Sequence, residues 1–167
     1  MLLFRSFLFF CLLVLPTSCG FRPLYLGSEN LDISRSLSKI SILSIEDRVG
    51  QIVHNLLLDR LNPNAKSKDR LYTLDVGVSV VKQDIGLKFT NEATRATLAL
   101  TAEYSLINDE DGQVLNSGEV RSVNSYNISD SEFSRIVSER DAMERAAREV
   151  SDEIKTRLSL HFSQKGR

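Results

Sequence analysis

The sequence predicts an α+β fold: two layers, a four-stranded and mostly antiparallel sheet with two helices on one face, in the order β-α-β-β-β-α. Three observations carry this. Two segments repeat apolar residues at spacings of three and four, which is the period of a helix face. Others alternate at a spacing of two, as half-buried strands do. Between two alternating runs stands Asp109-Glu110-Asp111-Gly112, a hairpin turn. Hydrophobic residues make up 42% and charged residues 26% of the 167, a globular balance and enough chain for one core.

Ile40 and Ile42 open a short β-type run towards Ile45, with Ser41 and Ser44 between. Arg48 to Leu61 reads as a helix, because Val49, Ile52, Val53, Leu56 and Leu57 form one stripe opposite Gln51, Asn55 and Asp59. Asn62-Pro63-Asn64 stops it. His54 lies near the border of that stripe with no second ligand at metal spacing, so it reads as a packing or surface residue.

Three strands follow. In Tyr72 to Gln83, Leu74, Val76, Val78 and Val80 share a face. In Thr94 to Asn108, Ala96, Leu98, Leu100, Ala102, Tyr104 and Leu106 do the same. Gln113 to Tyr126 alternates less cleanly, with a bulge expected near Gly118. The last helix is expected from Glu139 to Phe162, on the stripe Met143, Ala146, Ala147, Val150, Ile154, Leu158 and Phe162. Ser129 with Glu132 and Ser138 with Asp141 match capping boxes, so a short turn is expected before it. Both helix stripes require the one apolar sheet face. The other face carries Asp75, Ser79, Thr97, Thr101, Glu103, Ser105, Glu119 and Arg121. That pattern suits plain solvation and a polar partner surface equally.

Ahead of the domain, Met1 to Ser18 reads as a signal peptide: Arg5, then nine apolar residues from Phe7 to Leu15, then small residues. As a helix the apolar run rises about 14 Å, roughly half a bilayer core. Leu15-Pro16-Thr17-Ser18-Cys19-Gly20 resembles a bacterial lipobox, with Pro16 where that pattern prefers leucine. The resemblance implies a covalent lipid on Cys19, which becomes the first mature residue and the membrane anchor. Two or three acyl chains, at about 0.8 kcal/mol per buried methylene, hold a protein stably on a bilayer. Gly20 stands where an aspartate would imply retention in the inner membrane, so sorting to the outer membrane is expected. The domain reading is 1–18 signal peptide, 19–39 lipidated N-terminus and tether, 40–162 folded domain and 163–167 tail.

Several function classes find no support. Loss of residues 1–18 takes Arg5 from the 21 basic residues and none of the 22 acidic ones, leaving a net charge near -2. That gives no basic excess for nucleic acid. Cys11 leaves with the leader, so Cys19 has no disulfide partner. Two histidines, no Gly-x-Ser-x-Gly, no phosphate loop and no His-Glu-x-x-His point away from an enzyme and from a metal or other cofactor.

Cys19-Gly20-Phe21-Arg22-Pro23-Leu24-Tyr25 is similar to the mature start of the lipopolysaccharide-assembly lipoproteins LptE. Glu139 to Arg148, through Ile154, Arg157 and Leu158, resembles that family's last helix. The resemblance implies an outer-membrane lipoprotein that plugs and helps assemble the LptD β-barrel and takes part in lipopolysaccharide delivery to the outer leaflet. It also implies lipopolysaccharide binding through basic residues on the sheet and its loops, for which the candidates are Lys82, Lys88, Arg95 and Arg121. Two other readings are an auxiliary lipoprotein of an ABC-type lipid or solute transporter and a carbohydrate-acting lipoprotein enzyme.

Overall fold

The computed structural model describes residues 29–62, 69–87 and 93–165. The segment read as a signal peptide, Cys19 and Lys88 lie outside them. The described elements are α1 (Glu29–Ser38), β1 (Ile40–Ile42), α2 (Asp47–Leu61), β2 (Tyr72–Leu87), β3 (Ala93–Asn108), β4 (Val114–Asn127) and α3 (Glu132–Lys165). The strands lie in the order β1-β2-β3-β4, with β1 parallel to β2 and the other pairs antiparallel. The fold is the predicted two-layer α+β class, with one more helix.

That helix is α1, which occupies the C-terminal half of the segment read as tether. Leu37 is buried in the core, and Ile33, one helical turn earlier, packs against it. The folded unit therefore starts before Ile40. Leu37 and Ile33 are too few apolar points to show a period, and the serines around them are weak helix formers.

One core lies between the sheet and the helices. Val53, Leu57 and Leu61 of α2, with Ala146, Val150, Ile154 and Leu158 of α3, meet Leu74, Val76, Leu98, Leu100, Ala102 and Leu106. At Gly50 an added Cβ would stand 2.6 Å from Ile45 Cγ2, so only glycine lets α2 sit this close to the chain leaving β1. The hydroxyls of Ser151 and Ser159, buried in α3, bond back to the carbonyls of Ala147 and Lys155 at 2.7 and 2.8 Å. Tyr72 and Phe162 close the far end, ring centroids 5.2 Å apart.

The hairpin forms as expected. Gly112 takes φ 69°, Gly112 N–H donates to Asn108 O at 2.9 Å, and Asn108 N–H donates to Gln113 O at 2.9 Å. The irregularity in β4 falls at Leu115, where Leu106 faces Asn116 while Ile107 faces Val114, three residues before Gly118. Gly118 has a different reason. The Tyr104 ring lies over it, 3.3 Å from where a Cβ would be. The last helix begins at Glu132, seven residues before the expected start. The segment read as a separate capped turn is continuous with it.

Candidate functional site

The open face of the sheet is organised in transverse rows fixed by strand register. Asp75, Ser105 and Ser117 form one, and Gly77, Glu103 and Glu119 the next. Ser79, Thr101 and Arg121 follow, then Val81, Ala99 and Val123, then Gln83, Thr97 and Ser125. Ile85, Arg95 and Asn127 form the row beyond. Carboxylates thus gather towards the β3–β4 hairpin and cations towards the β2–β3 hairpin. Glu103 sits directly opposite Glu119, a like-charge pair that is unfavourable in isolation.

An apolar band crosses this polar face. Val81 is 63% exposed and Val123 57%, flanking the buried Ala99. Alternation contained the signal: Val80 and Val81 are adjacent, so one of them must face outwards.

Two of the sequence-predicted basic residues lie on this face. Arg95 and Arg121 are both exposed, and neither makes a hydrogen bond or ion pair among the described residues. They are on adjacent strands six register steps apart, about 20 Å at strand rise. They do not converge on one point. Lys82 is on the opposite face, in the row of Leu98 and Asn124, and is ion-paired with Glu139 of α3. Lys88 lies outside the described residues.

The helix side carries polar links that fix α3 on the sheet. Ser122 Oγ donates to Glu149 Oε2 at 2.5 Å, and Asn124 Nδ2 donates to the same oxygen at 3.2 Å. Arg145 Nε donates to Asn124 Oδ1 at 3.3 Å. Arg157 Nη1 reaches Glu119 O at 2.9 Å, and its Nε donates to Glu153 Oε1 at 2.8 Å, which raises its pKa above the usual arginine value. Between the helices, Arg60 grips Asp152 through Nε at 2.5 Å and Nη2 at 3.1 Å. That hydrogen bond holds the Asp152 carboxyl below its ordinary pKa, with partial burial opposing it.

A second surface opens where α2 and the N-terminal half of α3 separate. A groove of about 750 Å³ runs between Val49, Ile52 and Leu56 on one side and Ile136 and Met143 on the other. Sequence reasoning missed it by starting the last helix at Glu139. The spacing Phe133, Ile136, Arg140, Met143 was the available sign. Among the described residues no group of three or more His, Cys, Asp or Glu could hold a metal ion, and no helix is long and apolar enough to cross a membrane.

The molecule is therefore a two-layer α+β module whose chemistry resides in two surfaces. Its residues 37–158 match the family model of the lipopolysaccharide-assembly proteins LptE, and the chain belongs to that family. Membership places it among the lipopolysaccharide-assembly proteins. Among solved structures it is similar to a putative lipoprotein from Caulobacter crescentus, at TM-score 0.65 and 23% identity over 78% of this chain and 96% of that one. A minor lipoprotein from Acinetobacter baumannii gives 0.60 and 16%, over 74% and 92%. Rare lipoprotein B from Shewanella oneidensis gives 0.57 and 12%, over 77% and 98%. At these identities the likeness is one of fold. No curated protein matches the chain.

Proposed function

We propose that this chain plugs and helps assemble the LptD β-barrel in the outer membrane, held there by lipid on Cys19, and takes part in passing lipopolysaccharide to the outer leaflet. The observation that carries this is a family match across the folded domain joined to an open sheet face of hydroxyls, charges and one apolar band. A barrel lumen is a polar wall, and a face of that composition docks on it without leaving charges stranded in an apolar contact. Within this reading Arg95 and Arg121 are the lipopolysaccharide-facing cations, each able to give charge-assisted hydrogen bonds to a phosphate. Lys88 is the third candidate. Lys82, already spent on Glu139, is the weakest of the four.

The test is affinity purification of the full-length chain from detergent-solubilised envelope, with partners identified by mass. Recovery of a large barrel in a heat-resistant complex supports the reading. Recovery of an ATPase and a permease instead transfers the chain to the transporter-auxiliary class. In the same preparation Cys19→Ala is expected to leave the domain folded and to remove the acyl mass from the N-terminus.

A further inference from the structure

Outside the sheet face, the groove between α2 and α3 is a surface whose chemistry is unspent. The core stripe of α3 continues towards its N-terminus as Met143, Ile136 and Phe133. Phe133 is 78% exposed and Ile136 59%, with Val137 beside them half exposed. Met143 and Ile136 then become one wall of the groove, and Val49, Ile52 and Leu56 of α2 the other.

The charges along this groove divide into two kinds. Glu139 is bound to Lys82, and Arg140 donates through Nε to Glu144 at 3.0 Å, so these are satisfied within the fold. Arg48 and Arg148, which also line the groove, make no hydrogen bond or ion pair among the described residues. The Arg60–Asp152 contact sets α2 beside α3 so that Arg148 lies near Leu56, two turns along from Arg48. The rise of α2 from Arg48 to Leu56 is about 12 Å, so the two unpaired cations stand apart along an apolar floor.

We propose that this groove docks an amphipathic segment of a partner protein, apolar on one side and carrying carboxylates that meet Arg48 and Arg148. Phenylalanine, methionine and arginine are the residues enriched at protein–protein contacts, and all three occur here. The groove is open and runs on into the Phe133 ledge, which suits an extended segment more than a small enclosed ligand. A bilayer surface is a poorer match. Of the charges that line the groove, Arg48, Arg140 and Arg148 stand against Glu139 and Glu144, an excess of a single cation, whereas recognition of anionic lipid uses clusters of about four or more Lys and Arg. A second copy of the chain would bring the same free cations and no free carboxylate from this groove. The site is on the opposite side of the sheet from the face assigned to the barrel lumen, and it stands whether or not that assignment does.

The experiment places a photo-crosslinking phenylalanine derivative at Ile136 or Met143 of the full-length chain in its native envelope, with Leu160 as the control position on exposed α3. The expected result is a discrete protein adduct at the two groove positions, absent at Leu160, whose crosslinked peptide is amphipathic and acidic. Arg48→Glu combined with Arg148→Glu should cut its yield about tenfold with unchanged thermal melting, and Arg48→Lys with Arg148→Lys should retain most of it. An adduct to lipid alone, an adduct to a second copy, a partner peptide without carboxylates, or equal yield from the charge-reversed chain overturns the proposal. So does the absence of any adduct above the Leu160 control.

Discussion

The two faces of one sheet have opposite characters although they are built from the same three long strands. On the helix side, Leu74, Leu98, Leu100 and Leu106 are fully buried in one cluster with residues of α2 and α3. On the open side the register rows hold serine, threonine, glutamate and arginine, with valines left in water. The comparison separates two kinds of information. Burial is a property of the chain with itself, so changes on the helix side should appear in stability. The open side is a property of the chain with something else, and its changes should appear in association alone.

The largest break should come from Ile154→Asp. Ile154 is fully buried at the centre of the α3 stripe, with no cation placed to receive a carboxylate there. Burying the unpaired charge should cost about 4 kcal/mol or more and unfold the domain. Chemical denaturation or thermal melting checks it. A wild-type melting curve for that variant would mean that the core has been assigned to the wrong face.

Gly50→Ala comes next. In an ordinary helix interior this change gains about 1 kcal/mol, because alanine is the better helix former. Here the new methyl would lie 2.6 Å from Ile45 Cγ2 and 3.0 Å from the Ile45 carbonyl carbon, so backbone must move. Overpacking of this kind costs about 1–3 kcal/mol, and the net effect should be destabilising. Stabilisation would show that the α2 contact with Ile45 is loose in solution.

The same contrast explains how far the residues alone could be read. Leu74 to Val80 and Ala96 to Leu106 announce a buried face because strict alternation has one geometric meaning when helices wait to cover it. The extent of β3 and the hairpin at Gly112 were equally legible, whereas β2 runs on past the expected Gln83 to Leu87. Helix α1 was not, since Leu37 acquires its role only when it meets core residues distant in sequence. Nor was the partition of the basic candidates. Lys82 and Arg121 look alike in sequence, yet strand parity sends Lys82 under α3 to Glu139 and Arg121 out among Ser79 and Thr101. The groove escaped for a related reason: a helix stripe left exposed, as at Phe133 and Ile136, is written in the same letters as one that is covered.

Asp152→Asn should have a smaller effect, since Asp152 is mostly exposed while Arg60 is largely covered. An exposed pair is worth up to about 1 kcal/mol, and bidentate geometry puts this one towards the upper part of that range. The pH dependence follows from the sign of the shift. The Asp152 carboxyl is held below its ordinary value in the fold, mainly by the hydrogen bond from Arg60. Its contribution is therefore present above the unfolded carboxylate pKa, about 4, and is lost as pH falls through the lower folded value. The stability difference between wild type and Asp152→Asn should accordingly shrink in acid, below about pH 4. A difference that grew there would contradict the assigned direction.

The smallest effect on stability should come from the open face, and that is what gives it diagnostic force. Arg121→Ala removes an exposed side chain with no intramolecular partner among the described residues. Melting should therefore change by no more than about 0.5 kcal/mol in free-energy terms. Val123→Lys, one register row away in the exposed apolar band, should behave likewise in the isolated chain. It would place an ammonium where a partner surface must exclude water, so recovery of the partner complex from solubilised envelope should fall about tenfold or more. A chain carrying both changes that melts normally and still recovers its partner in full would show that this face remains in water in the assembled state. The docking surface would then have to be sought elsewhere on the molecule, with the groove between α2 and α3 the first place to look.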